Sequence, residues 1–427
     1  MASIPASEIF RHELHDISAI SAYISNVQHL ASYNWIEAPT PTIAVPGCPS
    51  LWSIPKVSRR LPKDSGFIYI AQNAARHPES PLEPLFRALF VENPSFDIGS
   101  IDLVSDRNNI RKLLSFINPK SSRNGLETFT IKIEVTKDTA IFCRMATAVS
   151  EIVGPREFKG FGYEFEKAYT TSQISGSTGH HRIISYRFAD LNIIVRHETD
   201  GYVKVEGDAP TSSKILKDHE NDNLSDLLDS LALSPIDLEV KSTSALSRLT
   251  VKKEGKVVPL ESILEIKTRV AHRPLSMQET VAQLWASQTP KLVRAYHNNG
   301  MFQRPKVEDV TVEIREWEEQ NQTHLKKLTV LIKTIISAVK ECGGKATLKY
   351  DEKGDKLVVW KLVDEKPMLP NNLYFKWEDK KKSDEVLVGS SGALLEITNT
   401  SEGDNATAAK GKLASTSPSQ ISGQIAS

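Results

Sequence analysis

The chain has 427 residues, 53 acidic and 53 basic side chains, and three cysteines. That length holds one large domain with insertions, or two domains, and the balanced charge excludes a global basic field, leaving any polyanion site to a local groove. Cys48, Cys143 and Cys342 lack CxxC spacing, which argues against a disulfide framework or zinc site and for a reducing compartment. The opening MASIPASEIFRHEL has no basic and apolar leader, and no run approaches membrane-spanning length. A soluble intracellular protein with no membrane partner is expected, in the nucleus or the cytoplasm.

In chain order, residues 1–46 are mixed and proline-punctuated and read as a loosely attached arm. Residues 67–70 predict a short buried strand. Leu82, Leu85, Phe86 and Leu89 have helical spacing, as do Ile110, Leu113, Leu114 and Ile117 within a predicted helix over 106–117. Phe129, Ile131, Ile133 and Val135 alternate with polar residues, Lys137-Asp138 turns, and residues 140–144 return as a hairpin. Phe161, Phe165 and Tyr169 again have helical spacing. Two strands, 181–188 and 191–203, follow, joined at Ala189-Asp190.

Residues 205–246 are too rich in Ser, Asp, Asn and Lys to form a core and read as a disordered insertion. Strands are predicted at 249–251 and 263–270, a helix at 277–287 and a strand at 291–296. A helix is expected over 307–341, ended by Gly343-Gly344. Residues 346–350 and 357–362 form a hairpin, and a Ser/Thr/Ala/Gly-rich tail runs from 383 to 427. The expected fold is α/β with mixed sheets flanked by helices, in one large domain over 47–382.

Two short acidic strands carry the chemistry. Residues two apart on a strand share a face, so Glu198 pairs with Asp200, and Glu265 with Lys267. Two metals roughly 3.5–4 Å apart can clamp the attacking and leaving oxygens of a phosphoryl transfer. Hard cations such as Mg²⁺ take carboxylate ligands, and a lysine beside them stabilises charge on phosphate. Asp followed by Glu-x-Lys follows the logic of the PD-(D/E)xK nuclease core. Taken alone it better describes an ordinary charged strand face.

Further pieces occur in order. Gly162-Tyr163-Glu164-Phe165-Glu166 fits Gly-aromatic-x-aromatic-Glu, Glu198-Thr199-Asp200 fits Glu-x-Asp, and Glu265-Ile266-Lys267 fits Glu-hydrophobic-Lys. Ala282-Gln283 precedes Pro290-Lys291-Leu292-Val293, and the run from Arg107 to Leu114 supplies an arginine motif upstream. Together these resemble the eukaryotic RNA 5′-end decapping nuclease family, the DXO or Rai type, over about residues 48–365. The resemblance implies metal ligands at Glu166, Asp200, Glu265 and the Ile266 carbonyl, for two ions of Mg²⁺ or Mn²⁺. It implies catalytic roles for Glu198 near the attacking water, and for Lys267 and Gln283. Substrate contacts are implied for Arg107, Glu166, Lys267 and Gln283.

The implied activities are removal of incomplete or atypical caps, NAD among them, pyrophosphate release from 5′-triphosphate RNA, and 5′→3′ exonucleolysis in some members. The implied partners are an RNA 5′ end and a 5′→3′ exoribonuclease; a non-catalytic RNA-end or exoribonuclease-binding module on the same scaffold is the alternative. Thr199 departs from the family's preferred hydrophobic residue, a change expected to loosen that strand. Other signals are weaker. His180-His181 has no metal-ligand spacing, and Gly160-Phe161-Gly162 lacks the rest of a dinucleotide fingerprint. Asp226-Leu227-Leu228-Asp229 lies in the polar insertion rather than on a long synthase helix.

Overall fold

Runs of β-branched and aromatic residues with period two favour a half-buried or buried pleated surface, and strands accordingly dominate the chain. The computed structural model describes residues 3–15, 21–57, 59–121, 126–204, 247–363 and 365–378. The predicted insertion over 205–246 and the predicted tail from 383 lie outside these described residues.

Strands are numbered in chain order. Eleven of them form one mixed sheet, and their spatial order begins β1 (Ser3–Phe10), β20 (Lys356–Leu362), β19 (Lys345–Asp351), β7 (Thr130–Thr136) and β8 (Thr139–Met145). It continues β6 (Leu103–Asp106), β12 (Leu191–Glu198), β11 (Ser177–Phe188), β2 (Ile24–Ile36), β3 (Thr42–Gly47) and β14 (Thr250–Gly255). Within it β6 runs parallel to both β8 and β12, and β3 parallel to β14. A second sheet has the order β10 (Thr170–Thr171), β4 (Leu51–Trp52), β13 (Gly201–Tyr202), β15 (Ile263–Val270), β16 (Lys291–Asn298) and β17 (Met301–Phe302). Strand β18 (Val307–Asp309) also pairs with β16, and β5 (Gly66–Tyr69) with β9 (Ser150–Val153) makes a separate ribbon.

Among the described residues the helices are α1 (Gln72–Arg76), α2 (Glu83–Glu92), α3 (Arg107–Ile117), α4 (Gly162–Tyr169), α5 (Val281–Ser287), α6 (Thr311–Gln320), α7 (Gln322–Glu341) and α8 (Asn371–Tyr374). Among the described residues no helix is long and apolar enough to cross a membrane. The large sheet is covered on both faces. Ile193 and Val195 of β12 pack in a core with Leu113 of α3 and Leu325, Leu328 and Ile332 of α7. Ile194, between them, faces the opposite core with Leu85, Phe86 and Leu89 of α2. A strand buried on both faces reads as a continuous apolar run, as Ile193-Ile194-Val195 does.

Three sequence expectations need correction. Residues 1–46 are not an arm: they supply β1, β2 and most of β3 to the large sheet. Polar residues of this mixed segment are buried with partners. Ser32 donates to the Pro46 carbonyl (2.8 Å), and Asn34 exchanges hydrogen bonds with the Cys48 backbone (3.0 and 2.7 Å). Pairing satisfies these groups, so they cost little inside. Next, the helix expected over 307–341 is a strand and two helices, broken at Asn321, because residues 307–309 pair with β16. Last, β5 is largely exposed; Ile68 is its buried side chain.

One ion pair fixes the approach to the site. Arg196 of β12, 2% exposed, lies opposite Asp106 at the end of β6. Its Nε and Nη2 donate to the two Asp106 carboxylate oxygens at 2.7 and 3.1 Å, the bidentate geometry that arginine makes best. Nη1 donates to the Pro81 carbonyl (2.7 Å) and the Tyr33 hydroxyl (3.2 Å). Burial alone would lower the pKa of Arg196; the charge and hydrogen bonds of Asp106, with Tyr33 and Cys143, together outweigh it and raise it. Asp106 occupies the N-cap of α3 but makes no capping bond, its carboxylate being committed to Arg196. Arg107 follows directly.

A second buried carboxylate anchors α2. Glu83, 1% exposed, accepts from His77 Nε2 (2.7 Å), Arg87 Nε (3.0 Å) and Ser247 Oγ (2.6 Å). Burial pushes its carboxyl up, but these donors outweigh burial and hold it below the ordinary value of 4.5. The stability it contributes is complete above pH 4.5 and is lost as pH falls through the lowered folded value.

Glu83→Gln is expected to lower stability at pH 7 by about 2 kcal/mol and to flatten the acid side of the stability profile; urea melts at pH 3.5–7 check both. Asp106→Ala, which leaves a buried guanidinium without its counter-charge, is expected to cost about 3–5 kcal/mol. The Asp106→Ala/Arg196→Met double variant should recover part of that loss in the same melts.

Candidate phosphate and metal site

The site lies where the chain passes from one sheet to the other. Strand β12 ends at Glu198, and β13 begins in the second sheet at Gly201. Asp200 therefore stands on the connection, two residues past the end of the strand, where Glu198, Glu265 and Lys267 all act on its charge. Its Oδ2 accepts the Ile266 N–H at 2.7 Å, which ties this connection to β15. Thr199 does not loosen the strand. It is 5% exposed, its N–H donates to the His180 carbonyl (2.9 Å), and its hydroxyl faces His197 Nδ1 at 3.5 Å.

Strand alternation does bring Glu265 and Lys267 to one face. Glu265, 2% exposed, is the hub: Oε1 accepts from Lys267 Nζ and Gln283 Nε2, and Oε2 from Arg107 Nη1 at 3.0 Å. Arg107 also donates to Ser287 Oγ at 3.3 Å. Gln283 and Ser287 are one helical turn apart on α5, so both reach the same place. The Ile266 side chain points the other way, into the core beneath the second sheet.

Glu166 comes from α4. Phe161, Phe165 and Tyr169, four apart, are buried against Leu264, Ile266 and Phe302, and this stripe fixes the helix under the second sheet. At its start, the buried Asp64 accepts the Glu164 N–H at 3.0 Å. Asp64 lies in a proline-rich stretch a hundred residues upstream, and no local pattern announces its role.

The electrostatics divide these carboxylates into two kinds. Burial would raise Glu265, but Lys267 and Arg107 hold it at about 2. Burial and the nearby Glu265 push Asp200 up to about 7, against the opposing pull of Lys267 and the Ile266 N–H. Burial, then Asp200 and Glu198, push Glu166 well above the ordinary glutamate value. Glu198 is exposed, yet its desolvated surroundings and Glu265 raise it despite Arg107. Lys267 is held firmly protonated: Glu265 and Asp200 override the effect of its burial.

An all-oxygen donor set whose members raise one another's pKa suits a hard divalent cation. Among the described residues, no three His, Cys, Asp or Glu side chains converge closely enough to coordinate one ion. Glu265 explains this in part, since both its oxygens are engaged by cations and an amide.

Beside the carboxylates runs a groove lined by Arg107, Arg111, Arg144, Arg196, His197 and Glu198. Arg111 lies one turn beyond Arg107 on α3 and makes no ion pair among the described residues. Burial, then Arg107, lowers its pKa. Arg111 and Arg144 were not among the site residues expected from sequence. The i,i+4 spacing of Arg107 and Arg111 was a legible signal; Arg144, at the end of a hairpin strand, carried none.

Comparison with solved structures places the architecture. The S. pombe Rai1 structure superposes with a TM-score of 0.52 at 14% identity, covering 84% of this chain and 99% of that one. Scheffersomyces stipitis Rai1, solved with (3′-NADP)⁺ and a calcium ion, gives 0.53 at 12% identity, covering 88% and 100%. Candida albicans Rai1, solved with pU5 and Mn²⁺, gives 0.50 at 9%, covering 88% and 98%. The Rai-type fold implied by the sequence motifs is the fold of this chain. No curated protein matches its sequence. The family model described as "Domain of unknown function (DUF8563)" matches residues 9–376, and to that family the chain belongs.

Proposed function

We propose that this protein is a divalent-metal-dependent hydrolase of RNA 5′ ends. The observation that carries the reading is the meeting of Glu166, Asp200, Glu265, Lys267 and Gln283 beside an arginine-lined groove. The ligands of the similarly folded proteins, a dinucleotide with calcium and an oligouridylate with manganese, support it. Glu166, Asp200 and Glu265, with the Ile266 carbonyl, are the residues that would hold Mg²⁺ or Mn²⁺. Such ions, when bound, polarise phosphoryl oxygens and acidify water.

The remaining roles fall to the chain's own groups. Arg107, Arg111 and Arg144 hold the phosphates of the 5′ end, guanidinium groups being suited to bidentate phosphate contacts. Lys267 Nζ, kept protonated by Glu265 and Asp200, opposes negative charge growing on the phosphoryl oxygens. Gln283 Nε2 donates to the same region and orients the Glu265 carboxylate. A Glu198 carboxylate oxygen takes the proton of the attacking water. Cleavage at an anhydride releases a cap nucleotide or pyrophosphate; cleavage at the first phosphodiester begins exonucleolysis.

A second reading is a module that binds RNA ends, or an exoribonuclease, without turnover. It is favoured by the closed ion pairs of Glu265 and the absence of a converged coordination sphere among the described residues.

One incubation series separates the two. RNAs with 5′-triphosphate, NAD, unmethylated-cap and 5′-monophosphate ends are mixed with protein and Mg²⁺, Mn²⁺ or EDTA. A metal-dependent 5′ product is expected, reduced at least about 100-fold in Asp200→Asn and Glu265→Gln. Tight RNA binding with no product under any condition decides for the binding module. Independently of turnover, Mn²⁺ is expected to raise the thermal midpoint of the wild type and to leave that of Asp200→Asn unmoved.

A further inference from the structure

We propose that the outer face of the β5–β9 ribbon is a stacking platform for the bases of single-stranded RNA whose 5′ end lies in the arginine groove. This inference rests on the nucleic-acid reading of that groove. In the ribbon Phe67 is directly opposite Ile152, and Tyr69 opposite Ser150, and residues directly opposite on antiparallel strands share a face. Ile68 and Val153 point inward and are 5% and 4% exposed. The outer pair is the reverse: Phe67 is 58% and Ile152 78% exposed. Single exposed apolar residues are ordinary, but a contiguous pair marks a contact surface. A two-stranded ribbon has little stability to spare for such a pair.

The ribbon is joined to the site at one end. The Ile70 and Ala71 N–H groups both donate to the Val149 carbonyl, at 2.9 and 3.0 Å. Arg144 of the groove donates to the Ile70 carbonyl (3.3 Å), and Ile70 itself lines the groove. The Tyr163 hydroxyl donates to the Tyr69 carbonyl at 3.2 Å, tying the ribbon to the helix that carries Glu166. Phe67 stands three residues from Ile70, about 10 Å along the strand, with its ring edge-on to Tyr69 at 4.9 Å. The apolar face thus continues a cationic groove outward.

That combination selects the occupant. A cationic groove followed by exposed rings is how proteins hold a single strand without reading its sequence. Two large apolar side chains are too few for a stable protein interface, which uses about 20–30 residues a side.

Fluorescence anisotropy with 5′-monophosphorylated RNAs of two and ten nucleotides, in calcium, tests the platform. Phe67→Ala is expected to weaken binding of the ten-mer by about 5-fold or more and to leave the dinucleotide unchanged. Phe67→Trp should retain wild-type affinity. Val312→Ser, at an exposed apolar position on α6, is the control and should change neither. Unchanged ten-mer binding by Phe67→Ala overturns the platform and leaves the face to a protein partner. Equal weakening of both lengths also overturns it, by placing Phe67 within the groove. Failure of the wild type to bind either RNA overturns the nucleic-acid reading of the groove, and the platform with it.

Discussion

The buried pair of Arg196 and Asp106 is the constraint on which the site depends. It joins neighbouring parallel strands at the point where one ends and α3 begins. A buried guanidinium tolerates little freedom, because its donors must each find an acceptor. By taking both oxygens of Asp106, Arg196 sets where the helix starts and so where Arg107 stands. Arg107 in turn reaches across to Glu265 on the second sheet. A contact that belongs to the fold therefore decides the position of the cation that pairs with Glu265.

The acidic cluster is organised by difference. Glu265 is neutralised by Lys267 and Arg107 and stays ionised, whereas burial, and then neighbouring carboxylates, drive Asp200 and Glu166 towards protonation. Like charges brought together out of water must lose charge or gain a counter-charge. A groove lined by Arg107, Arg111, Arg144 and Arg196 runs beside the cluster.

Much of this was legible in the sequence. The alternation of β7 and β8, the helical stripe Phe161, Phe165, Tyr169, and the shared face of Glu265 and Lys267 follow from period alone. The grouping of Glu166, Asp200, Glu265, Lys267 and Gln283 required ordered motifs, since they come from four separate stretches of chain. What was not legible has identifiable physical causes. Residues 1–46 read as an arm because the partners that satisfy the buried Ser32 and Asn34, Pro46 and Cys48, are contacts of tertiary structure. The end of β12 at Glu198 was hidden because Gly201-Tyr202 continues the strand pattern in a different sheet. Asp64 and Arg144 act over distances in sequence that no local window spans.

The two-residue step at Thr199 and Asp200 has a mechanical consequence. It welds the end of a strand in one sheet to the start of a strand in the other, with Glu198 on the near side and Asp200 on the far side. The separation of these carboxylates is thus a gauge of how the two sheets are seated. Packing is close and stiff in protein interiors, so small displacements are transmitted rather than absorbed. Reshaping the stacked rings of Phe165 and Tyr169 beneath the second sheet would be felt first as a change in the spacing of the acids, well before the chain unfolds.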